Sequence, residues 1–487
     1  MKYSLFFLNK GGCMFQEEER TIAAISTAMN TSGIGIVRMS GNKAVKIADK
    51  IFKSHKEKKL DNQKSHTIHY GYVVNGDDIL DEVLVMLMKG PNSYTKEDTV
   101  EFNCHGGIYV VKKVLDLLIK NGASPAEPGE FTKRAFLNGR LDLSQAEAVS
   151  DLISAQNEYA LKSSIHQLKG ELKNTIEQIR QEIMYDTAYI ESALDDPEHI
   201  SLDEFPEKLE HELSLWLADI RQLISTSESG KILKEGINTV IIGKPNAGKS
   251  SLLNVMLSEE RAIVTDTPGT TRDVLEEQIN LNGILLNIID TAGIRKTRDK
   301  IEEIGVSKAK KYANQADLIL YVIDASKELD ENDKDIIEMV QDKKTIILLN
   351  KSDLKMVITK EDIQNLFNER KLAKNNDSKT GDFSILEVSA KHNNGINELE
   401  EIIKQMFYEG KIAFNNQVFI TNTRQKHELL QTESALLKVR ESLNMQMPED
   451  FFTIDLLDAY EHLGQITGET IGEDLVNEIF SKFCMGK

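Results

Sequence analysis

GKPNAGKS, Gly243 to Ser250, stands between the strand-like run INTVII and the helix-like run SLLNVML. Its spacing satisfies G-x-x-x-x-G-K-[ST], the pattern of a phosphate-binding loop. The glycines let backbone N–H groups close around phosphate oxygens, and the N-terminus of the following helix adds a favourable dipole. Asn246, Ala247, Gly248, Lys249, Ser250 and Ser251 are therefore expected to cradle a nucleotide. Lys249 should reach the β- and γ-phosphates, and the Ser250 hydroxyl should sit on Mg²⁺.

Three further pieces follow in chain order. Asp290-Thr291-Ala292-Gly293 closes the strand-like run ILLNIID. Asp290 is expected to hold Mg²⁺ through water, and the Gly293 N–H to meet the γ-phosphate. Asn350-Lys351-Ser352-Asp353 ends the run TIILLN. A carboxylate at Asp353 accepts from both N1–H and N2–H of guanine, a donor pair that adenine lacks, and such a site discriminates strongly. Ser389-Ala390-Lys391 follows SILEV and offers a backbone N–H to the guanine O6. All four pieces in this order predict a GTP-binding domain. The alternation of strand-like and helical runs from Ile237 to about Glu409 gives it a doubly wound α/β fold.

A Ras-like switch has a Gln after the final glycine of D-x-x-G, where it orients the attacking water. Here that position is Ile294, so the water must be handled otherwise. Between the loop and Asp290 lies Thr265-Asp266-Thr267-Pro268-Gly269-Thr270-Thr271-Arg272-Asp273, dense in hydroxyls and carbonyls. Thr271 is the natural second Mg²⁺ ligand. The other oxygens, with Asn246, either ring a monovalent cation beside the phosphates or form an ordinary polar loop. A cation there would neutralise charge that develops in phosphoryl transfer.

Outside this domain the pattern changes. Up to about residue 138, short apolar runs (GIGIVRM, EVLVMLM, TVEF) alternate with turn signals such as Asn75-Gly76-Asp77, which reads as α+β. From about Leu141 to Ser229 the chain reads as helical, with Ile165, Leu168, Leu172, Ile176, Ile179 and Ile183 forming one stripe on one helix face. From Phe414 to Lys487 it is helical again, so the α/β domain is expected to interrupt a single helical bundle. The lone Trp216 should pack a helix. His105, beside Cys104 in NCHGG, reads as a structural turn, since no metal-like spacing surrounds it. The predicted segments are 14–138, α+β; 139–235, helical; 236–409, the α/β P-loop GTPase domain; and 410–487, helical again.

The chain has 487 residues, 28% of them charged, and a formal net charge of −19. An acidic balance argues against a broad nucleic-acid grip by this chain alone, because phosphate neutralisation supplies most of such affinity. Three cysteines, Cys13, Cys104 and Cys484, with no C-x-x-C pair point to a reducing, cytoplasmic setting. The start MKYSLFFLNKGGC lacks an A-x-A site and reads as no export signal, and no apolar run is long enough to cross a membrane. Lys10-Gly11-Gly12 is what a translated purine-rich ribosome-binding sequence would encode, so Met14 is expected to be the native start.

The chain ends in FCMGK, a tail too apolar to be a solvated fray. GKPNAGKSSLLN, TDTPGTTRD, DTAGIR, NKSD, SAK and this tail together resemble the MnmE (TrmE) family of tRNA-modification GTPases. GIGIVRMSG, PNSYTKEDTVEFNCHGG and PGEFTKRAFLNGRLDLSQAEA extend the resemblance from about Glu19 onward. It implies a cytoplasmic homodimer that assembles with the flavoprotein MnmG, which alone carries FAD, as a heterotetramer. The pair would build a carboxymethylaminomethyl or aminomethyl group at C5 of the wobble uridine of certain tRNAs. The one-carbon unit would come from a methylene-tetrahydrofolate.

Carried over by position, the resemblance implies a K⁺ site at Asn246, Thr265, Thr267 and Thr270, and Mg²⁺ held by Ser250 and Thr271. It implies Glu302 as the water-orienting residue, with Glu303 adjacent. A tetrahydrofolate site, for a 5-formyl or methylene form, would use Arg38, Glu101, Arg140 and Lys487, with Cys484 as a candidate catalytic residue. A folate carries a carboxylate tail suited to cations and a pterin donor edge suited to a carboxylate. The tail is expected to thread back onto the N-terminal domain. The competing reading is a regulatory GTPase acting on RNA in ribosome assembly, which would want a basic RNA-binding domain and no folate-type pocket.

Overall fold

The structure is a computed structural model and describes residues 20–56, 58–258, 277–289, 312–340, 343–373, 383–407, 420–483 and 486. The expected start at Met14 lies outside the described residues. The chain divides into two compact units, Met1–Ser150 with Gly464–Lys487, and Asp151–Leu463.

The first unit is built on β1 (Ile22–Ile25), β2 (Ile34–Ser40), β3 (Phe52–Ser54), β4 (Thr67–Asn75), β5 (Asp78–Met88), β6 (Thr99–His105) and β7 (Ser124–Pro125). They form one sheet in the order β3-β4-β5-β6-β2-β1-β7, antiparallel except for β1 with β7. The expected turn at Asn75-Gly76-Asp77 joins β4 to β5, with Gly76 at φ +66°. That left-handed angle is why a glycine serves in so short a hairpin loop.

Strand alternation then sorts the side chains. Val37 and Met39 on β2, Val83, Val85 and Leu87 on β5, and Val100, Phe102 and Cys104 on β6 join one core. Ala44, Ile47 and Ala48 of α1 (Ala44–Ile51) and Val111, Val114 and Leu118 of α2 (Ile108–Lys120) close over it. Arg38 and Glu101 fall in the opposite phase of the same strands and face each other in register.

The same alternation separates Cys104 from His105. Burial pushes the Cys104 thiol up to about 12, with Asp81 adding to the rise. His105 does not stand in a turn: it ends β6, and its Nδ1 lies 2.6 Å from Asp81. Neighbours on a strand point to opposite faces, so the two form no nucleophile–base pair.

The second unit contains β8 (Ile237–Ile242), β9 (Glu277–Leu281), β10 (Ile284–Ile289), β11 (Leu318–Asp324), β12 (Thr345–Asn350) and β13 (Phe383–Glu387). Their order is β13-β12-β11-β8-β10-β9, parallel except for β9 against β10. Every residue of β11 and β12 is buried, as a parallel sheet covered on both faces requires.

Helices before and after this sheet pack on one another. Arg221 of α7 (Phe205–Glu235) pairs with Glu433 of the helix Thr423–Asn444 at 2.6 Å, and Arg440 pairs with Glu210 at 3.0 Å. Trp216, 1% exposed, donates its Nε1–H to Glu182 at 2.6 Å. The expected single apolar stripe from Ile165 to Ile183 is split. Gly170, at φ +84°, separates α5 (Glu158–Leu168) from α6 (Glu171–Asp195). Leu172, Ile176, Ile179 and Ile183 are buried on α6, whereas Ile165 is exposed on α5. The spacing across the break matches a helical period, so the pattern alone ran through it.

Candidate functional site

The loop after β8 is shaped by close approaches that only glycine permits. Gly243, at φ +150°, lies so near the Val322 carbonyl that a Cβ would strike it. Gly248, at φ +102°, leaves the space taken by the Asn350 side-chain amide. Asn246 at the apex is itself left-handed, at φ +61°. Lys249 opens α8 (Lys249–Ser258), and Ser250 follows half-buried.

The Lys249 ammonium donates to the carbonyls of Gly243 at 2.7 Å and Lys244 at 2.8 Å. Burial lowers its pKa. Carbonyls satisfy its N–H groups without cancelling its charge, so the loop's mouth keeps a positive charge that fits a phosphate.

The segments 350–353 and 389–391 meet this loop at one side chain. Asn350 ends β12 and is 2% exposed. Its Nδ2 donates to the Ala247 carbonyl at 2.8 Å, and its Oδ1 accepts from the Ala390 N–H at 3.1 Å. Asp353 accepts from the Ser389 hydroxyl at 2.7 Å, and that bond first of all holds its carboxyl below the usual range. It is thus an ionised acceptor, the state needed to take two guanine N–H groups. Lys351, at φ +65°, pairs with Asp324 at 2.6 Å, and Lys391 is exposed. Thr265, Asp266, Thr267, Pro268, Gly269, Thr270, Thr271, Asp290, Thr291, Ala292, Gly293 and Glu302 lie outside the described residues.

In the first unit, Arg38 Nε donates to Glu101 at 2.6 Å. Arg38 also donates to the Gly486 carbonyl at 3.4 Å, and the Ser26 hydroxyl donates to the same oxygen at 3.1 Å. Gly486 sits at φ +82° against the Ile25 carbonyl, where a Cβ has no room. Farther back, Phe483 N–H donates to the Phe480 carbonyl at 3.0 Å, and the two rings lie 5.0 Å apart. Both lean on Gly129, whose missing Cβ would come within 2.8 Å of Phe483. The described part of the tail therefore lies against β1 and the segment opening α3 (Glu130–Leu137). Cys484, Met485 and Lys487 are outside the described residues.

Tyr94 links this pair to Arg140: its ring centroid lies 5.9 Å from the Arg38 guanidinium and 4.7 Å from that of Arg140. Tyr94 is in turn hydrogen-bonded to Thr132 at 3.0 Å. Arg38, paired with Glu101, and Arg140 thus both stand at the Tyr94 ring. Sequence reasoning named neither Tyr94 nor Ser26; an aromatic between polar residues in PNSYTKED was the available signal.

Comparison with known proteins places these features in one family. Residues 21–140 match the model described as the GTP-binding protein TrmE N-terminus, and residues 143–484 match the MnmE helical domain. The tRNA modification GTPase MnmE of Lachnoclostridium phytofermentans is 54% identical over 468 residues, covering 96% of this chain and 99% of that protein. Its counterpart in Clostridioides difficile is 49% identical over 471 residues, with 96% and 99% covered. That of Acetivibrio thermocellus is 47% identical over 472 residues, with 96% and 100% covered. The chain belongs to the MnmE (TrmE) family of tRNA modification GTPases.

Proposed function

We propose that this chain hydrolyses GTP and, with the flavoprotein MnmG, installs a carboxymethylaminomethyl or aminomethyl group on the wobble uridine of certain tRNAs. The observation that carries the GTP half is Asn350, which ties the loop at Ala247 to the base-reading segment at Ala390. In this reading Lys249 leaves the two carbonyls for the β- and γ-phosphates, and Asp353 accepts from guanine N1–H and N2–H. Ser250 and Thr271 would hold Mg²⁺, and Asn246, Thr265, Thr267 and Thr270 would hold K⁺. Bound there, the two cations would neutralise charge developing in phosphoryl transfer. Glu302 would orient the attacking water.

The modification half rests on Arg38, Glu101 and Arg140 gathered beside Gly486. Glu101 offers an acceptor to the pterin donor edge, while Arg140 and Lys487 offer cations to the folate carboxylates. Cys484, two residues before Gly486, would come to the same place. The working assembly would be a homodimer joined by MnmG in a heterotetramer, in the cytoplasm. With a net charge of −19, the chain would leave much of the tRNA grip to that partner.

The test is to digest tRNA from a deletion strain complemented with wild type or with Cys484→Ser. Loss of the modified wobble nucleoside without the gene is expected, with restoration by wild type alone. Cys484→Ser should hydrolyse GTP at a near-normal rate. An unchanged nucleoside profile in the deletion strain would instead favour an assembly GTPase.

A further inference from the structure

Lys244 is the second residue of GKPNAGKS, and the phosphate-loop pattern assigns it no task. Its ammonium is nonetheless fixed, 2.5 Å from Asp333 Oδ2 and 3.0 Å from Asp330 Oδ2. Asp333 is 1% exposed and takes two more donors: the Tyr321 hydroxyl at 2.8 Å on Oδ1 and the Asp330 N–H at 3.0 Å on Oδ2. Asp330 in turn caps the helix Glu331–Val340, accepting from the N–H groups of Asn332 at 2.9 Å and Asp333 at 3.2 Å.

Each link ends on something rigid. Tyr321 is fully buried on β11, and its neighbour Val322 supplies the carbonyl against which Gly243 rests. One strand therefore braces the loop twice, through its main chain at Gly243 and through Tyr321 and Asp333 at Lys244. The Lys244 carbonyl is one of the two that hold Lys249. Only the Asp333 end of this ion pair is buried, and such pairs add little stability of their own, since apolar residues of similar volume often do as well. What it supplies is a fixed place for its partner.

We propose that Asp333 is a positioning residue for nucleotide binding, acting through Lys244 to fix the loop that presents Lys249 to phosphate. The inference rests on the reading of this loop as a GTP site and deepens it. Asp333 meets Lys244 at its ammonium, whereas Lys249 meets it at its main-chain carbonyl.

The test measures binding of a fluorescent GTP analogue to the full chain, with melting temperature recorded alongside. Asp333→Asn and Lys244→Met should each weaken binding about tenfold, the worth of one charged hydrogen bond. The double variant should bind no worse than either single one, because both break the same link. Lys244→Arg should restore most of the affinity, which a purely packing role for the side chain would not predict. Tyr321→Phe, which removes one hydroxyl, should cost about threefold and serves if Asp333→Asn does not fold.

Wild-type affinity in Asp333→Asn, or losses that multiply in the double variant, would overturn the proposal while leaving the GTP site intact. Failure of the wild type to prefer GTP over ATP would bring down the GTP reading itself.

Discussion

Around Lys249 the organising contacts run through main-chain groups: the carbonyls of Gly243, Lys244 and Ala247, and the N–H of Ala390. Around Arg38, apart from the Gly486 carbonyl, the partners are side chains drawn from separate segments: Glu101 on β6, Tyr94 before it, and, at the same ring, Arg140 beyond α3. A main-chain cradle constrains which residues can stand in it, because only glycine passes at φ +102° beside Asn350. A side-chain cluster constrains only what its members can reach. The first kind of site writes itself into sequence as a spacing, and the second does not.

Breaking the base-reading contact should have the largest effect. Asp353→Asn replaces an acceptor pair with a donor and leaves guanine N–H groups unmet. GTP affinity should fall about 100-fold, and xanthosine triphosphate, which carries a C2 carbonyl in place of the amine, should gain. Competition against a labelled nucleotide measures both. Retention of guanine preference would mean that the contact at Ala390, not Asp353, reads the base.

A smaller loss is expected from the side-chain cluster. Glu101→Gln keeps the volume and removes the charge facing Arg38. Calorimetry with 5-formyl-tetrahydrofolate should show about tenfold weaker binding. GTP hydrolysis should stay within about twofold of wild type, since no nucleotide contact changes. A folate affinity that did not move would take Glu101 out of the cluster.

Smallest of all should be a change outside both sites. Burial pushes the Glu212 carboxyl up to about 7, helped by the neighbouring Asp186 carboxylate, to which protonated Glu212 can donate, and opposed by Lys208. Its folded pKa stands above the unfolded value, so its stabilising contribution is complete below about pH 4.5 and is lost as pH rises through 7. Glu212→Gln should leave melting near pH 5 almost unchanged and raise the transition at pH 8 by about 2 °C. A melting profile with the wild-type pH dependence would show that Glu212 is not the group responsible.

What could be read from sequence follows the same division. The α/β order, the hairpin at Gly76 and the burial of Trp216 were legible, because strand alternation, turn chemistry and aromatic area act locally. The bracing of Lys244 by Asp333, 89 positions away, was not, since nothing in local spacing couples them. Neither was the stacking of Arg38 and Arg140 on Tyr94. The split of the Ile165–Ile183 stripe went unseen because the two-residue link, Lys169-Gly170, keeps the apolar phase while Gly170 turns the chain. Periodicity reports which positions are apolar, not whether one axis carries them all.

The Asn350 bridge has a thermodynamic consequence. A single amide spans the 243–250 loop and the segment at Ala390, so, on the proposed reading, each half of a nucleotide would meet a pocket whose other half is already tied to it. Filling one end makes ordering the other cheaper, and by reciprocity the assistance is equal in both directions. Guanosine and inorganic triphosphate, added as separate molecules, should help one another to bind. Asn350→Ala would leave two subsites that no longer know of each other.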